Sequence, residues 1–418
     1  MVRFIHASDL HLGAAFEGIW ATSPEVAEVL ARSTYDALDA IVKLARDESA
    51  AFVLLAGDTC NRAEGNLRAH LALRKAAREL QESGIALFIV FGNHDYLAPG
   101  RPDLDWPENC TVFGSDASEP VIVSTDAGEA AVFGLSYGRR DEKQNLALRY
   151  PAPPGDLFSI GLLHTACGPV SGHASYAPCT VEDLVARGYD YWALGHVHAR
   201  AVLRPSSPAI AYPGNPQGLN PNETGPRGCL LVSVDDRKNP TIEFRETDAV
   251  RWCIEDVDIT GMQRDQDLQD ALEARLTELQ GHGRPSLVRF RLVGRGPLHR
   301  LTSATSDLSD FEEHLRASGS GAHPIVWTES IRVLTQPDMD MEARRQSEDL
   351  LGDFLRIADD LRSSDERIAE LAAKLAGEAK KPLQEIGLDA AWIGPERVRE
   401  WLAQAEWMGA DRLIRAED

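Results

Sequence analysis

Asp9 and His11 lie two residues apart in ASDLHLG, and Asp58 follows a glycine in LLAGDTCN. Asn93, His94 and Asp95 are consecutive in VFGNHDY, His164 stands alone in GLLHTA, and His196 and His198 are again two apart in ALGHVHA. Carboxylate oxygens, an amide oxygen and imidazole nitrogens together suit a borderline-to-hard divalent cation, and no cysteine cluster joins them to make a structural zinc site. The set Asp9, His11, Asp58, Asn93, His164, His196 and His198 is more than one ion with an open substrate position needs. It suffices for two ions if one carboxylate bridges.

Taken singly, these residues have plainer readings. Asp9 alone fits a turn-former at a strand end, and His164 alone fits a satisfied core histidine. The tetrapeptide Gly92-Asn93-His94-Asp95 is harder to explain as a turn, and the set in this order is harder still. Histidines at i and i+2 of an extended segment point the same way with Cα atoms roughly 6.5 to 7 Å apart, so His196 and His198 need not share an ion.

The elements that must position these groups follow from periodicity. From residue 1 to about 250, short apolar runs (RFIHAS, AAFVLLAG, IALFIVFG) alternate with helical stretches over roughly 24–49 and 66–83, the pattern of an α/β sandwich. Further strands are expected at TVFG, PVIVST, AAVFGLS, FSIGLLHT, YWALGH, AIAYPG and GCLLVSV. The polar clusters fall just after five of these runs, at the strand carboxyl ends where open α/β sheets bind ligands. Residues 251–336 read as a compact α+β unit: WCIEDVDI, a helix at DLQDALEARLTEL, the strand SLVRFRLVG, a short helix near DFEEHLRAS and the strand PIVWTESIRVL. Residues 337–418 read as a charged helical tail, in which Leu350, Phe354, Ile357, Leu361, Ile368, Leu371 and Leu375 form a heptad-like stripe broken at Ser364.

Composition bounds the function classes. A net charge of -22 over 418 residues argues against a surface coated with phosphate-binding cations, without excluding a local basic track. No apolar run approaches the roughly 20 residues of a membrane span. MVRFIHASDLHLG lacks the segments of a signal peptide, and the cysteines (Cys60, Cys110, Cys167, Cys179, Cys229, Cys253) are scattered singly, so a cytoplasmic protein with reduced thiols is expected.

The series D-x-H, GD, GNHD, a lone His and GHVH resembles the calcineurin-like metallophosphoesterase superfamily over the whole first domain. SDLHLG, LLHT, YAPCTVEDLVARGYDYWALGHVH, AYPGNPQG and NETGPRGCLLV narrow the resemblance to the SbcD branch and its YhaO-like bacterial relatives, exonuclease subunits of DNA double-strand-break repair complexes. The resemblance implies a four-layer α-β-β-α sandwich over 1–250, a smaller α+β capping domain over 251–336 that positions DNA, and a helical partner-binding region over 337–418. It implies two ions, manganese being common in the family, one held by Asp9, His11, Asp58 and His198 and the other by Asp58, Asn93, His164 and His196. His94 is then left to protonate the leaving oxygen. Asp95 either orients an imidazole or serves the loop.

Asn61 departs from the family pattern, which often has Asp or His there, and any substrate-positioning role at that site is weakened. In RPSLVRFRLVGRGPLHR, Arg284, Arg289, Arg291, Arg295 and Arg300 offer cations. Arg289 and Arg291 share one strand face, which is either a solvated basic face or a phosphate contact. The tail stripe, with Trp392, Trp401 and Trp407, packs on its own domain or docks on the coiled-coil base of an SbcC-type ATPase, as the resemblance implies. A homodimer through helices of the first domain is expected on the same ground. The resulting expectation is a manganese-dependent DNA exonuclease with endonuclease activity. A phosphoesterase of small nucleotides or RNA, and a non-enzymatic DNA-tethering subunit, are the alternatives.

Overall fold

The computed structural model describes residues 2–14, 24–61, 67–97, 102, 104–116, 119–125, 128–168, 176–299, 305–320, 323–385 and 392–417. Arg300 lies outside them. The chain divides into two compact units: residues up to 253 together with 283–287 and 323–325, and the remainder.

The first unit holds two six-stranded mixed sheets. In one, β1 (Val2–Ala7), β2 (Phe52–Ala56), β3 (Ala86–Val90) and β4 (Cys110–Val112) run parallel. β11 (Gly228–Val234) and β12 (Pro240–Glu246) extend that sheet antiparallel on the β1 side. The other has the order β5 (Val121–Thr125), β6 (Gly128–Leu135), β7 (Phe158–His164), β8 (Tyr191–Gly195), β10 (Ala209–Tyr212) and β9 (Ala201–Arg204). Here β6, β7, β8 and β10 are parallel.

The central strands are apolar throughout because both of their faces are buried. Along β2, Phe52, Leu54 and Ala56 enter the core between the sheets, where Phe4, Phe88, Ile160 and Tyr191 meet them. Val53 and Leu55 face the other way, against Leu38, Ile41, Leu73 and Leu80 of helices α1 (Pro24–Asp47) and α2 (Leu67–Gln81). The outer face of the second sheet is covered differently, by Tyr150, Tyr189 and Trp192 with the turn of 3-10 helix Leu146–Arg149 and the short helix Val181–Val185. The layered α/β sandwich read from the sequence is thus present, with a thin fourth layer.

Between the sheets, His6 stays uncharged: burial pushes its pKa down to about 3. One ring nitrogen faces the Tyr191 hydroxyl at 3.0 Å and the other the Leu194 carbonyl at 3.1 Å. Strands β9 and β12 were not expected from the sequence. Both are edge strands with at most partly buried residues, so neither carries the apolar run that betrays a central strand.

A third, three-stranded sheet has the order β13 (Arg251–Asp258), β14 (Ser286–Val293), β15 (Val326–Val333). Helix Asp265–Gly281 lies between the first two strands in sequence, and helix Thr305–Ser320 between the last two. Along β14, Val288, Phe290 and Leu292 are buried and alternate with half-buried Arg289 and Arg291.

In the tail, Ser364 proves to be a boundary rather than a flaw in one stripe: one helix spans Leu350–Ser363 and the next Asp365–Glu385. Leu351 and Leu355 are buried with Ala410 of helix Pro395–Glu417, and Phe354 packs alongside. Ile368 is buried with Val398, while Leu371, Leu375 and Trp401 pack on that cluster. Much of the stripe is therefore used internally, although Leu350 and Ile357 remain 65% and 63% exposed. Trp407 stacks on the Arg295 guanidinium and Trp392 on that of Arg397. Among the described residues no helix is long and apolar enough to cross a membrane.

Candidate metal centre

Asp9, Asp58 and Asn93 follow β1, β2 and β3 of one sheet, while His164 ends β7 and His196 follows β8 of the other. All five strands deliver their side chains at carboxyl ends. The sheets approach closely there: a Cβ at Gly195 would run into the Ala56 carbonyl oxygen, and one at Gly92 into the Asp58 carboxylate and the His164 ring. Four of the candidate ligands adopt left-handed backbone, with φ of 54° at Asp9, 46° at His11, 49° at Asp58 and 105° at His196. Non-glycine residues in that region cost on the order of 1–3 kcal/mol each, and such strain gathers at functional sites.

Asp9, His11, Asp58, Asn93, His164 and His196 are buried, and His94 and His198 are half-buried. Three groups of side chains each bring ligand atoms within 4.8 Å of one another: Asp9 with His11 and His198, Asp9 with Asp58 and His164, and His11 with Asp58 and His94. Asn93 joins through its amide oxygen, 3.1 Å from His164 Nε2, and that nitrogen is 3.4 Å from Asp58 Oδ2. His196 is not in these groups. It meets the cluster through its ring, 5.2 Å from that of His164, and its backbone N–H, which donates to both Asp9 carboxylate oxygens at 3.1 Å.

Several of these groups fit a cation better than they fit one another. His11 Nε2 and His198 Nε2 face each other at 3.1 Å, and His11 Nδ1 is buried without a hydrogen-bond partner among the described residues. Burial pushes the His11 imidazole down to about 4, so at neutral pH it offers a lone pair. At His164 burial works in the same direction, but the adjacent Asp58 carboxylate outweighs it and raises the group to about 9. Burial in turn opposes ionisation of Asp58, yet His164, His11 and His94 together hold its carboxyl far below the usual range. A buried carboxylate among imidazoles, with an amide oxygen beside it, is a donor set suited to a divalent ion.

His94 sits at the rim. Its backbone N–H donates to Asp58 Oδ1 at 2.9 Å, its ring stands edge-on to His11 with centroids 4.8 Å apart, and its Nδ1 lies 3.3 Å from the backbone carbonyl of Asn61. That approach bears on the sequence departure at Asn61, because a backbone carbonyl accepts from His94 whatever side chain follows. Asp95 was expected to serve either an imidazole or the loop. The hydrogen bonds it is seen to accept come from Thr59 N–H and hydroxyl, both at 2.6 Å, from Cys60 N–H at 3.2 Å and from Gly92 N–H at 2.7 Å. They make it a clamp between the loops after β2 and β3.

The arginines proposed as substrate-binding groups are occupied within the second unit. Arg289 makes two hydrogen bonds to Glu329, at 2.8 and 2.9 Å. Arg291 does the same to Asp256, at 2.6 and 2.8 Å, and Arg295 donates to Gln336 at 3.0 Å. On the strand face read as either solvated and basic or in contact with phosphate, Arg289 and Arg291 thus carry compensated charges. The carboxylate partners of Arg289 and Arg291 come from the neighbouring strands β15 and β13, which sequence spacing does not reveal.

A group that sequence reasoning passed over is Glu223. Its carboxylate accepts from His198 Nδ1 at 2.7 Å. Burial disfavours its charge, but His198, together with the Leu219 N–H and the Asn215 amide, outweighs it and brings the group down to about 2. The stretch NETGPRG that carries Glu223 was visible in the sequence, but only as part of a family pattern, with no metal-ligand spacing to single out the glutamate.

The comparisons with known proteins agree with this geometry. A family model described as calcineurin-like phosphoesterase matches residues 2–200, and one described as the middle domain of metallophosphoesterase YhaO matches residues 252–336. A Bacillus subtilis protein named uncharacterized metallophosphoesterase YhaO is 36% identical over 327 residues, covering 78% of this chain and 80% of that protein. The DNA double-strand break repair protein Mre11 of Haloferax volcanii is 25% identical over 388 residues, covering 84% and 83%. The Mre11 of Halobacterium salinarum is 28% identical over 243 residues, covering 56% of each chain.

Proposed function

The chain belongs to the calcineurin-like metallophosphoesterases, on a YhaO-like branch distantly related to the Mre11 nucleases, and from that membership we propose that it is a two-metal DNA nuclease. The substrate would be phosphodiester bonds at DNA ends and the pathway double-strand-break repair. The observation that carries the reading is the meeting of Asp9, His11, Asp58, His164 and His198, where His11 Nε2 faces His198 Nε2 and His11 Nδ1 has no hydrogen-bond partner among the described residues, with His94 at the rim. The relatives named as double-strand-break repair proteins support the choice of DNA.

Asp9, His11, Asp58 and His198 would hold one ion, and Asp58, Asn93, His164 and His196 the other, with Asp58 shared. When bound, a pair of divalent ions supplies charge stabilisation to the phosphodiester and lowers the pKa of water; manganese suits the mixed oxygen and nitrogen donors. The protein's own groups do the rest. The Asn61 carbonyl accepts from His94 Nδ1 and so fixes the ring's tilt. The opposite nitrogen, Nε2, then protonates the leaving oxygen as its bond to phosphorus breaks. Asp95 keeps the Asp58 and Asn93 loops in register by the bonds it accepts from Thr59 and Gly92.

The tail would serve an SbcC-type coiled-coil ATPase, with exposed Leu350 and Ile357 available to it, and a second copy of the chain would pair through helices of the first unit. Residues 251–336 would act as the cap that positions DNA. One observation favours a different substrate: with Arg289 and Arg291 already paired and a net charge of -22, a small nucleotide ester would need fewer free cations than duplex DNA does.

The test is purified protein with manganese on linear duplex DNA, circular single strands and bis-p-nitrophenyl phosphate. Cleavage of linear DNA is expected. Hydrolysis of the small ester with every DNA left intact would transfer the reading to the small-nucleotide alternative.

A further inference from the structure

The loop between β10 and β11 closes a ring of hydrogen bonds around one ligand candidate. Glu223 Oε1 accepts from His198 Nδ1 at 2.7 Å, while Oε2 accepts from Asn215 Nδ2 at 2.8 Å and from the Leu219 N–H at 2.7 Å. Asn215 is fully buried, and its Oδ1 accepts from Arg227 Nη1 at 2.9 Å. The same guanidinium nitrogen donates to the backbone carbonyl of His198 at 2.6 Å. The ring thus leaves the His198 imidazole, passes through Glu223, Asn215 and Arg227, and returns to the backbone of His198. Gln217 anchors the loop, accepting from the N–H groups of Ala249 and Val250 at 2.9 and 3.1 Å.

An ionised carboxylate only accepts, so it keeps the proton on Nδ1 and leaves Nε2 of His198 as a lone pair. That lone pair is the atom lying 3.1 Å from Nε2 of His11. We propose that Glu223 is a positioning residue of the metal centre, setting the tautomer and ring plane of His198, with Asn215 and Arg227 locking Glu223 in turn. The assignment rests on the two-ion reading above. A loop filler would not need this chemistry. The Glu223 side chain is 12% exposed, and withdrawing a charge from water to that degree is unfavourable without partners. Glutamine would match the shape, yet its amide NH2 would meet either His198 Nδ1–H or the donors of Asn215 and Leu219. Both oxygens must accept, which only a carboxylate provides.

Manganese alone, titrated into the full-length chain by calorimetry and followed by electron paramagnetic resonance, tests the assignment. The wild type is expected to take two ions with an exchange-coupled spectrum. Glu223→Ala and Glu223→Gln are expected to weaken one ion by about 10- to 100-fold and spare the other, so that the spectrum of an isolated ion replaces the coupled one. Glu223→Asp, with two accepting oxygens on a shorter arm, should regain part of the loss. If Glu223→Ala fails to fold, Glu223→Gln keeps the volume and carries the measurement. A folded Glu223→Gln that binds two ions at wild-type affinity overturns the proposal. So does equal weakening of both ions with a lowered melting temperature, which marks a purely structural role. A wild-type chain that binds no manganese instead overturns the two-ion reading, and this assignment falls with it.

Discussion

At the carboxyl ends of β1, β2, β3, β7 and β8, imidazoles face one another with a ring nitrogen left over, whereas along β14 Arg289 and Arg291 are each closed against a carboxylate. Both regions concentrate polar groups on strands. They differ in what those groups do with their valence. A buried polar atom without a partner costs on the order of 1–3 kcal/mol, and left-handed backbone at Asp9, His11, Asp58 and His196 adds strain. Such costs persist where a bound group offsets them, so the strand-end loops read as a ligand cradle. Paired guanidinium groups along β14 carry no such signature.

The contrast breaks most visibly at Asp58. It faces His11, His164 and the His94 backbone, so Asp58→Ala should abolish binding of both ions. The several kcal/mol that such ions contribute correspond to a rate loss of more than about 10³-fold. Calorimetry with manganese and turnover of bis-p-nitrophenyl phosphate check both, and full activity in Asp58→Ala would refute a shared carboxylate.

His94→Ala comes next. It should lower turnover of DNA by about 10² to 10⁴-fold with manganese affinity unchanged. The loss should shrink with bis-p-nitrophenyl phosphate, because nitrophenolate departs without needing a proton. Equal losses on both substrates would make His94 a ligand, as its grouping with His11 and Asp58 also allows.

Asp95→Ala acts on stability first. It strands the N–H groups of Thr59, Cys60 and Gly92, and should cost roughly 3 kcal/mol or more, read as a lowered midpoint in urea. An unchanged midpoint would mean that the two loops keep their register without the clamp.

This ordering also shows what a sequence makes legible. The alternation of apolar runs with helices exposed the sandwich, since strands buried on both faces have little room for polar residues. The candidate ligands were legible because each cluster directly follows such a run. The edge strands β9 and β12 were not, for different reasons: β9 is only four residues long with no alternation of burial, while in β12 only Ile242 and Phe244 alternate with polar residues, a mark too short to stand out beside the apolar runs. Nor was the pairing of Arg289 with Glu329, 40 residues away, or of His198 with Glu223, 25 residues away. Hydrogen bonds between distant segments depend on register, and no local pattern encodes that. Ser364 shows the limit from the other side: a heptad count reads one broken helix where the chain builds two.

The smallest expected effect lies in the second unit and sharpens the contrast most. Arg291 and Asp256 are 42% and 48% exposed, so their ion pair is screened and Arg291→Ala should cost only about 0.2–1 kcal/mol. Arg289→Ala leaves Glu329 half-buried without its partner and should cost more, on the order of 1–3 kcal/mol. If both pairs remain closed during function, neither substitution changes the salt dependence of DNA binding. A guanidinium that leaves its carboxylate for a phosphate would give a different result. Affinity would fall, and the slope of log K against log salt would shrink by about one for each phosphate no longer neutralised. Measuring that slope for wild type, Arg289→Ala and Arg291→Ala therefore separates a compensated strand from a phosphate-reading one. A reduced slope would place β14 beside the strand-end loops as a working surface.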